Sequence, residues 1–581
     1  MDAKITPVEP YQRKYLKKDV NYSQWESLNK FAQELIKQPI HSTEDLVDFL
    51  YKKNELDVVV GEQMENYYLE SFRFVNAKDS DPNSKQIQNE LRSNKNKTDG
   101  ILMKKILNSG FLDDLLKSKP ELRQMILNIQ NKHKIHTEKN ESVIARLNEL
   151  KNQYKKINAQ HRIIVSGEEM VLHKAGPAVK DAPRVKRIET ALAVEDCHEK
   201  HSEALDEIFD ELVEKRHIKA IQAGYQNFVD YTWTEWSRVD YRPKDCSNVC
   251  SAIETHFIPI YKEIFEKRKQ FLGLKEAFLF DLYSDLGNAP APIFPKTQEE
   301  FCSKLKQVFK SIHSDFAEAF NYLVEQDRLD FETRSNKMTA MFMTYFPERR
   351  LPFVFYMPVN TVHDVHGTIH EVTHGIHSMY YNRYSLLGLQ SPGAEVSELF
   401  TMSMELISFD YWDVFFENRQ NLIRAKLRKL ENCLGLLRMV GLWDTFQQWA
   451  YLYPDHTRQE RNLYWDALSK RYDFGITPIK PISSEENTGW QRRPLIYTYP
   501  FYMIEYAFAQ FGAFDIYRQY RENQTQTINN LIAAMKLGNT RSIQETYQTA
   551  GVQFDFSDAT VKKSAEFLSN EYNRLFEQLE F

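Results

Sequence analysis

Glycine and proline are scarce, 19 and 21 in 581 residues. Turns and strand boundaries draw on both, so this poverty favours long uninterrupted helices over a many-stranded sheet. Cysteine is scarcer still: Cys197, Cys246, Cys250, Cys302 and Cys433 make five. An odd, sparse set excludes a disulfide scaffold and predicts reduced thiols that pack as small apolar groups, the Cys246/Cys250 pair included. Nowhere does an apolar run reach the roughly 18 residues that a membrane-spanning helix requires. The opening MDAKITPVEPYQRKYLKKDV also lacks an apolar stretch of signal-peptide length. The expected location is therefore cytoplasmic. Neither sign of charge prevails: 75 Lys+Arg against 81 Asp+Glu gives a net charge of −6. No bias toward nucleic acid or an anionic membrane follows from that balance. Hydrophobic residues at 42% and charged residues at 27% exclude a disordered or collagen-like chain.

What is present is helical periodicity. Apolar stripes begin with Leu35, Ile36, Leu46, Phe49 and Leu50 and continue through Ile101, Leu102, Ile106 and Leu107. The polar stretch 76–99 reads as an exposed connection, and 131–160 as a charge-rich surface helix. Residues 163–172 read as a small hairpin around Ser166-Gly167, followed by a loop at Pro177 and Pro183 and a helical run from about 184. Aromatic and β-branched residues fill 338–346 and 352–358, which read as two strands; helix resumes over 362–382, 395–440 and 500–580. The expected fold is mainly α with one small sheet, divided into an N-terminal helical lobe, 1–183, and a catalytic region, 184–581.

The small sheet leads into the densest chemistry in the chain. Five of the sixteen histidines, His363, His366, His370, His374 and His377, lie within fifteen residues. At helical pitch they fall within an arc of about 80°. Thr361-Val362-His363-Asp364 forms a capping-box pattern that would start a helix there. Among them His370-Glu371-Val372-Thr373-His374 is an HExxH. Positions i and i+4 let two imidazoles share one Zn²⁺, with Glu371 beside them to take a proton from a water. His363, His366 and His377 are expected to support the ligands or line a cleft. A catalytic zinc needs a third protein ligand, and AEVSELFTMSMELISF offers Glu395, Glu398 and Glu405 along one side of an otherwise apolar helix. Helical geometry does not choose among the three.

HEVTHGIHSMYY followed by SELFTMSMELISF resembles the M3 family of zinc oligopeptidases, the thimet-oligopeptidase and oligoendopeptidase F group. Similar segments include GYQNFVDYTWTEWSRVDYRPKDC at 224–246, Phe446–Trp449 and Pro500–Ala507, so the likeness covers roughly residues 110–581. Glu398 stands 24 residues after His374 and Glu405 seven after Glu398. In the family's register that spacing implies Glu398 as the third ligand, with Glu405 orienting a ligand histidine. The resemblance also implies that tyrosines of the 497–506 segment stabilise the oxyanion, Tyr502 and Tyr506 by register. There are departures: Thr373 stands where the family usually has Gly, His366 where many members have Asp, Leu495 near a usual His, and Ala340-Met341 near a usual Gly-Gly.

Taken together, the resemblance implies an elongated two-lobed body with a deep channel and a small sheet near the metal. It implies an enzyme that cuts internal bonds of short peptides; composition points to no nucleic-acid or membrane partner, and the oligomeric state is left open with a monomer favoured. A peptide is expected to add as a strand along 352–358. Two other readings remain open: a helical HExxH carboxypeptidase or dipeptidase, and a peptide-binding protein that keeps the zinc site.

Overall fold

The computed structural model describes residues 9–18, 20–74, 82–172, 175, 183–283, 286, 297–358, 361–416 and 418–580. Helices dominate, and the scarcity of glycine and proline shows in their length: Thr43–Arg73 (31 residues), Arg184–Gln222 (39), Pro243–Phe271 (29) and Arg419–Leu452 (34). Side chains close many N-termini, such as Ser42 accepting from the Asp45 N–H at 3.1 Å. Among the described residues no helix is long and apolar enough to cross a membrane. All five cysteines are free and buried. The loop expected at Pro177 lies outside the described residues.

The polar stretch read as a connection is a correction. From Pro82 to Leu107 the chain is helical. Leu91, Leu102 and Ile106 are fully buried and anchor it, while Lys95 pairs with Asp57 at 2.7 Å. A few deep apolar contacts outweigh a polar composition.

The chain forms two compact units, each built from separated segments. The first comprises Met1–Lys134, Ile293–Glu417 and Gly512–Phe554; the second Ile135–Pro292, Asn418–Phe511 and Asp555–Phe581. The expected division at 183/184 falls inside the second unit, where the helices Glu141–Gln160 and Arg184–Gln222 pack on each other.

In the second unit, β1 (Arg162–Val165) and β2 (Glu168–Val171) form an antiparallel hairpin. Ser166 and Gly167 both take positive φ, 52° and 85°, as a two-residue hairpin turn requires. The hairpin leans on the Arg184–Gln222 helix.

In the first unit, β3 (Leu329–Asp330), β4 (Met341–Phe346) and β5 (Leu351–Tyr356) form a sheet in the order β3-β5-β4. β3 runs parallel to β5, and β4 antiparallel. β5 is buried at every position, which is why PFVFY reads as continuous apolar sequence. Phe353 and Phe355 face the Thr43–Arg73 helix, in a cluster with Leu69, Phe72, Phe342 and Phe346. On the other face, the Val354 and Pro352 side chains lie against Gly375 of the helix Val362–Tyr381. Because β5 is central, it offers no free edge at 352–356 for a peptide. The edge strands are β4 and the two-residue β3, the second correction.

Below the sheet, Lys337 is an interior charge. Its Nζ donates to Asp330 Oδ1 at 2.9 Å and to three backbone carbonyls, that of Tyr356 at the end of β5 included. Burial raises the Asp330 pKa, but Arg334 and Lys337 outweigh it and hold the carboxyl well below its usual range. Asp330→Ala is expected to cost about 3–5 kcal/mol, since it leaves the Lys337 charge enclosed without its carboxylate. Thermal and urea unfolding measure this; an unchanged midpoint contradicts it.

Candidate metal centre

The helix Val362–Tyr381 starts where the sequence places it. Thr361 and Asp364 close a capping box, with the Thr361 N–H donating to Asp364 Oδ2 at 3.3 Å. Asp364 is itself buried and accepts from the Tyr356 hydroxyl, so the end of β5 and the start of the helix share one carboxylate. At Gly367 a Cβ would lie 2.7 Å from Met341 Sδ. The missing side chain lets the helix lie close on β4.

One turn further on, His370 and His374 project together, ring centroids 4.8 Å apart. The facing helix, Ala394–Ile407, brings Glu398 to them. His370 Nε2 is 3.1 Å from Glu398 Oε2, and His374 Nε2 is 3.6 Å from Glu398 Oε1. The ligand atoms of these three residues all lie within 4.8 Å of one another. Glu395, buried on the same helix, is not part of that group. The Thr401 hydroxyl donates to Glu398 Oε2 at 3.2 Å.

Glu405, two turns beyond Glu398, accepts from His370 Nδ1 at 2.8 Å and contacts His366 Nδ1 at 3.1 Å. It therefore joins two histidines of the motif helix. His363 is exposed at the helix start, its ring against that of His366. His377 departs from expectation: it is 2% exposed and enclosed by Tyr381 and Phe400 rather than lining a cleft. Burial, with His374 adding to it, pushes its pKa down to about 3.

The electrostatics fit a cation among these donors. In the neutral ring, a proton on Nδ1 donated to Glu405 leaves Nε2 a lone pair facing the Glu398 carboxylate. Two acceptors at 3.1 Å repel unless a positive charge lies between them. Burial lowers the His370 pKa, but Glu398 and Glu405 outweigh it and raise it well above the usual imidazole value. Burial likewise raises Glu398, and the two histidines outweigh it, holding the carboxyl low. Two imidazoles and a carboxylate are a donor set for Zn²⁺ with room for a fourth ligand.

Glu371, 7% exposed, sits beside this group against β4. Burial raises its pKa above the usual carboxylate value; His370, His374 and the Met343 backbone act against that rise. Sequence reasoning missed the Thr401 and Met343 contacts. Thr401 carried a signal, three residues after Glu398 on one helix, whereas Met343 carried none.

Tyr497, Tyr499, Tyr502 and Tyr506 belong to the second unit and separate by burial. Tyr497 is fully buried, stacked on Tyr154 at 4.0 Å, and Tyr499 is 54% exposed. Tyr502 and Tyr506 are half-buried, their hydroxyls 3.2 Å apart. The backbone below them is fixed: Phe501 takes φ 64°, its carbonyl accepts from Arg238 at 2.8 Å, and Arg238 pairs with the buried Glu505 at 2.5 Å.

Comparison with known proteins gives the family and the fold. The model for Peptidase family M3 matches residues 180–566. The chain is 20% identical over 329 residues to an oligoendopeptidase F homolog of Borreliella burgdorferi, covering 55% of this chain and 54% of that one. It is 20% identical over 315 residues to oligopeptidase PepF of Bacillus subtilis, covering 52% and 45%. The matches thus span about half the length of these relatives. The solved structure of PZ peptidase A with an inhibitor superposes with a TM-score of 0.85 at 22% identity, covering 97% of this chain and 99% of that one. That likeness shows the mainly α fold.

If Glu405 sets the His370 tautomer, Glu405→Ala should weaken metal affinity about 10–100-fold. Competition with a chromogenic chelator reads this directly, and an unchanged affinity removes Glu405 from the metal's support.

Proposed function

The chain belongs to Peptidase family M3, and from that premise we propose that it is a zinc-dependent endopeptidase of short oligopeptides. The observation that carries the reading is the convergence of His370, His374 and Glu398 within 4.8 Å, with Glu371 adjacent. In this reading those three residues hold Zn²⁺. When bound, zinc supplies a Lewis acid that polarises the scissile carbonyl and acidifies a water. Glu371 accepts a proton from the attacking water on its carboxylate and delivers it to the leaving nitrogen. Its buried position and raised pKa suit a group that holds the proton between those two events. Glu405 keeps the proton of His370 on Nδ1, so that Nε2 faces the metal.

Tyr502 and Tyr506 are assigned to donate hydrogen bonds to the developing oxyanion. Their paired, half-buried hydroxyls support that role over Tyr497, which is committed to the core. β4 pairs with β5 on one side only among the described residues, and its Met343 backbone acts on Glu371. An extended peptide bonded along the outer edge of β4 would present its backbone next to the general base. The names of the relatives, oligoendopeptidase and oligopeptidase, support short peptides as substrates.

Glu371→Gln should retain its metal and lose about 10²–10⁴-fold in kcat on a short internally quenched peptide blocked at both ends. Cleavage of free-ended peptides alone would replace the endopeptidase with an exopeptidase. Metal binding without cleavage of any peptide would leave a peptide-binding protein. Tyr502→Phe and Tyr506→Phe should each lower kcat by about 10²–10³-fold with little change in KM; a change confined to KM would move the tyrosines to substrate binding.

A further inference from the structure

A second cluster of metal-type donors lies in the second unit, outside everything assigned to catalysis. His161, Cys197 and His201 offer ring nitrogens and a thiol whose ligand atoms are all within 4.8 Å of one another. His161 is 1% exposed and Cys197 4% exposed. The His161 and His201 ring centroids are 4.3 Å apart.

The site is built rather than incidental. His161 ends the helix Glu141–Gln160 immediately before β1. Its backbone N–H donates to the Asn158 carbonyl at 3.3 Å, and its own carbonyl accepts from the Leu172 N–H at 3.0 Å, just past β2. The helix end and the hairpin thus hold the His161 backbone from both sides. Cys197 and His201 lie four residues apart on the Arg184–Gln222 helix and share a face. His201 Nδ1 is 2.8 Å from the Cys197 carbonyl. A carbonyl only accepts, so Nδ1 carries the proton and Nε2 keeps its lone pair.

The second, independent observation is His161 itself. Both of its ring nitrogens are buried and have no hydrogen-bond partner among the described residues. An imidazole enclosed in this way loses its hydration without replacement. The next residue to Cys197 repeats the pattern: His198 has a buried Nδ1 with no hydrogen-bond partner among the described residues, and its ring stands edge-on to His161 at 5.5 Å. Around them Ile163, Val165 and Cys197 form a small apolar cluster. Three cations lie near the cluster, Arg492, Arg493 and Lys200; Arg492 is neutralised by Glu195, whose Oε1 it meets at 2.5 Å.

We propose that His161, Cys197 and His201 form a second Zn²⁺ site, which staples the 162–171 hairpin to the Arg184–Gln222 helix. Two imidazoles and a thiolate are zinc donors by type and number, with His198 the nearest candidate for the fourth position. On binding, the Cys197 thiol releases its proton to solvent and its sulfur bonds the metal, so one proton leaves for each ion bound at that sulfur.

The test uses the full chain stripped of metal and reloaded with Zn²⁺, or with Co²⁺ as a spectroscopic probe. The catalytic donors include no sulfur, so a thiolate-to-cobalt charge-transfer band reports the second site alone. Wild type should bind two ions per chain by elemental analysis and show the band. The His370→Ala/His374→Ala double variant, which leaves the second unit untouched, should keep one ion and the full band. Cys197→Ser should lose the band and one ion while the other remains. If the double variant binds no metal, or binds cobalt without the thiolate band, the second site does not exist. The double variant decides the matter whether or not Cys197→Ser folds.

Discussion

Two carboxylates, Glu398 and Glu405, are buried on one helix, and one imidazole stands between them. His370 touches Glu405 through Nδ1 and Glu398 through Nε2. A neutral imidazole has one proton and can satisfy only one of them. A positive charge is required at Nε2, carried either by a second proton or by a metal ion shared with His374. The two carboxylates act in that direction on His370, raising its pKa against the opposing effect of burial. Two buried acids facing two histidines are costly as structure alone, and their arrangement makes sense as a cation site.

The rest of the first unit keeps that alignment. β5 is enclosed on both faces, by the Thr43–Arg73 helix and by the HExxH helix, so neither can shift without opening a packed aromatic layer. Asp364 fixes where the motif helix begins, and Gly367 fixes how near it comes to β4. The distance from Glu371 to the edge strand follows from those two constraints. The geometry of the donor group depends on a cap, a glycine and a central strand that lie outside it.

Local chemistry was legible in the sequence, and long-range assembly was not. The HExxH spacing, the Thr361/Asp364 cap and the Ser166-Gly167 turn each depend on residues within one or two turns, so pattern alone locates them. The choice among Glu395, Glu398 and Glu405 needed the facing helix, because spacings of three and seven residues place all three acids on nearly one side. β3 has two residues, Leu329 and Asp330, and exists only through pairing with β5. The helix 82–107 carries a polar sequence and is held by Leu91, Leu102 and Ile106, contacts that a composition window averages away. Each unit gathers segments from distant parts of the chain, which no local boundary signal announces.

The two histidine clusters differ in the way this contrast predicts. His370 and His374 are four apart, and their carboxylate partners lie on the next helix, so the motif advertises itself. Cys197 and His201 are also four apart, but the third donor, His161, comes from beyond a hairpin, and a C-x-x-x-H on a helix is unremarked by itself. Their electrostatics differ too. Glu398 and Glu405 bring carboxylates to the first cluster, with Glu371 beside it as a third, the base of the proposed reaction. The second cluster has one ionisable sulfur against apolar side chains, and among the described residues its donor group contains no carboxylate. A bound ion there would retain positive charge without a basic group positioned to use it. Such a site suits holding a hairpin to a helix, whereas the acid-rich site suits moving a proton.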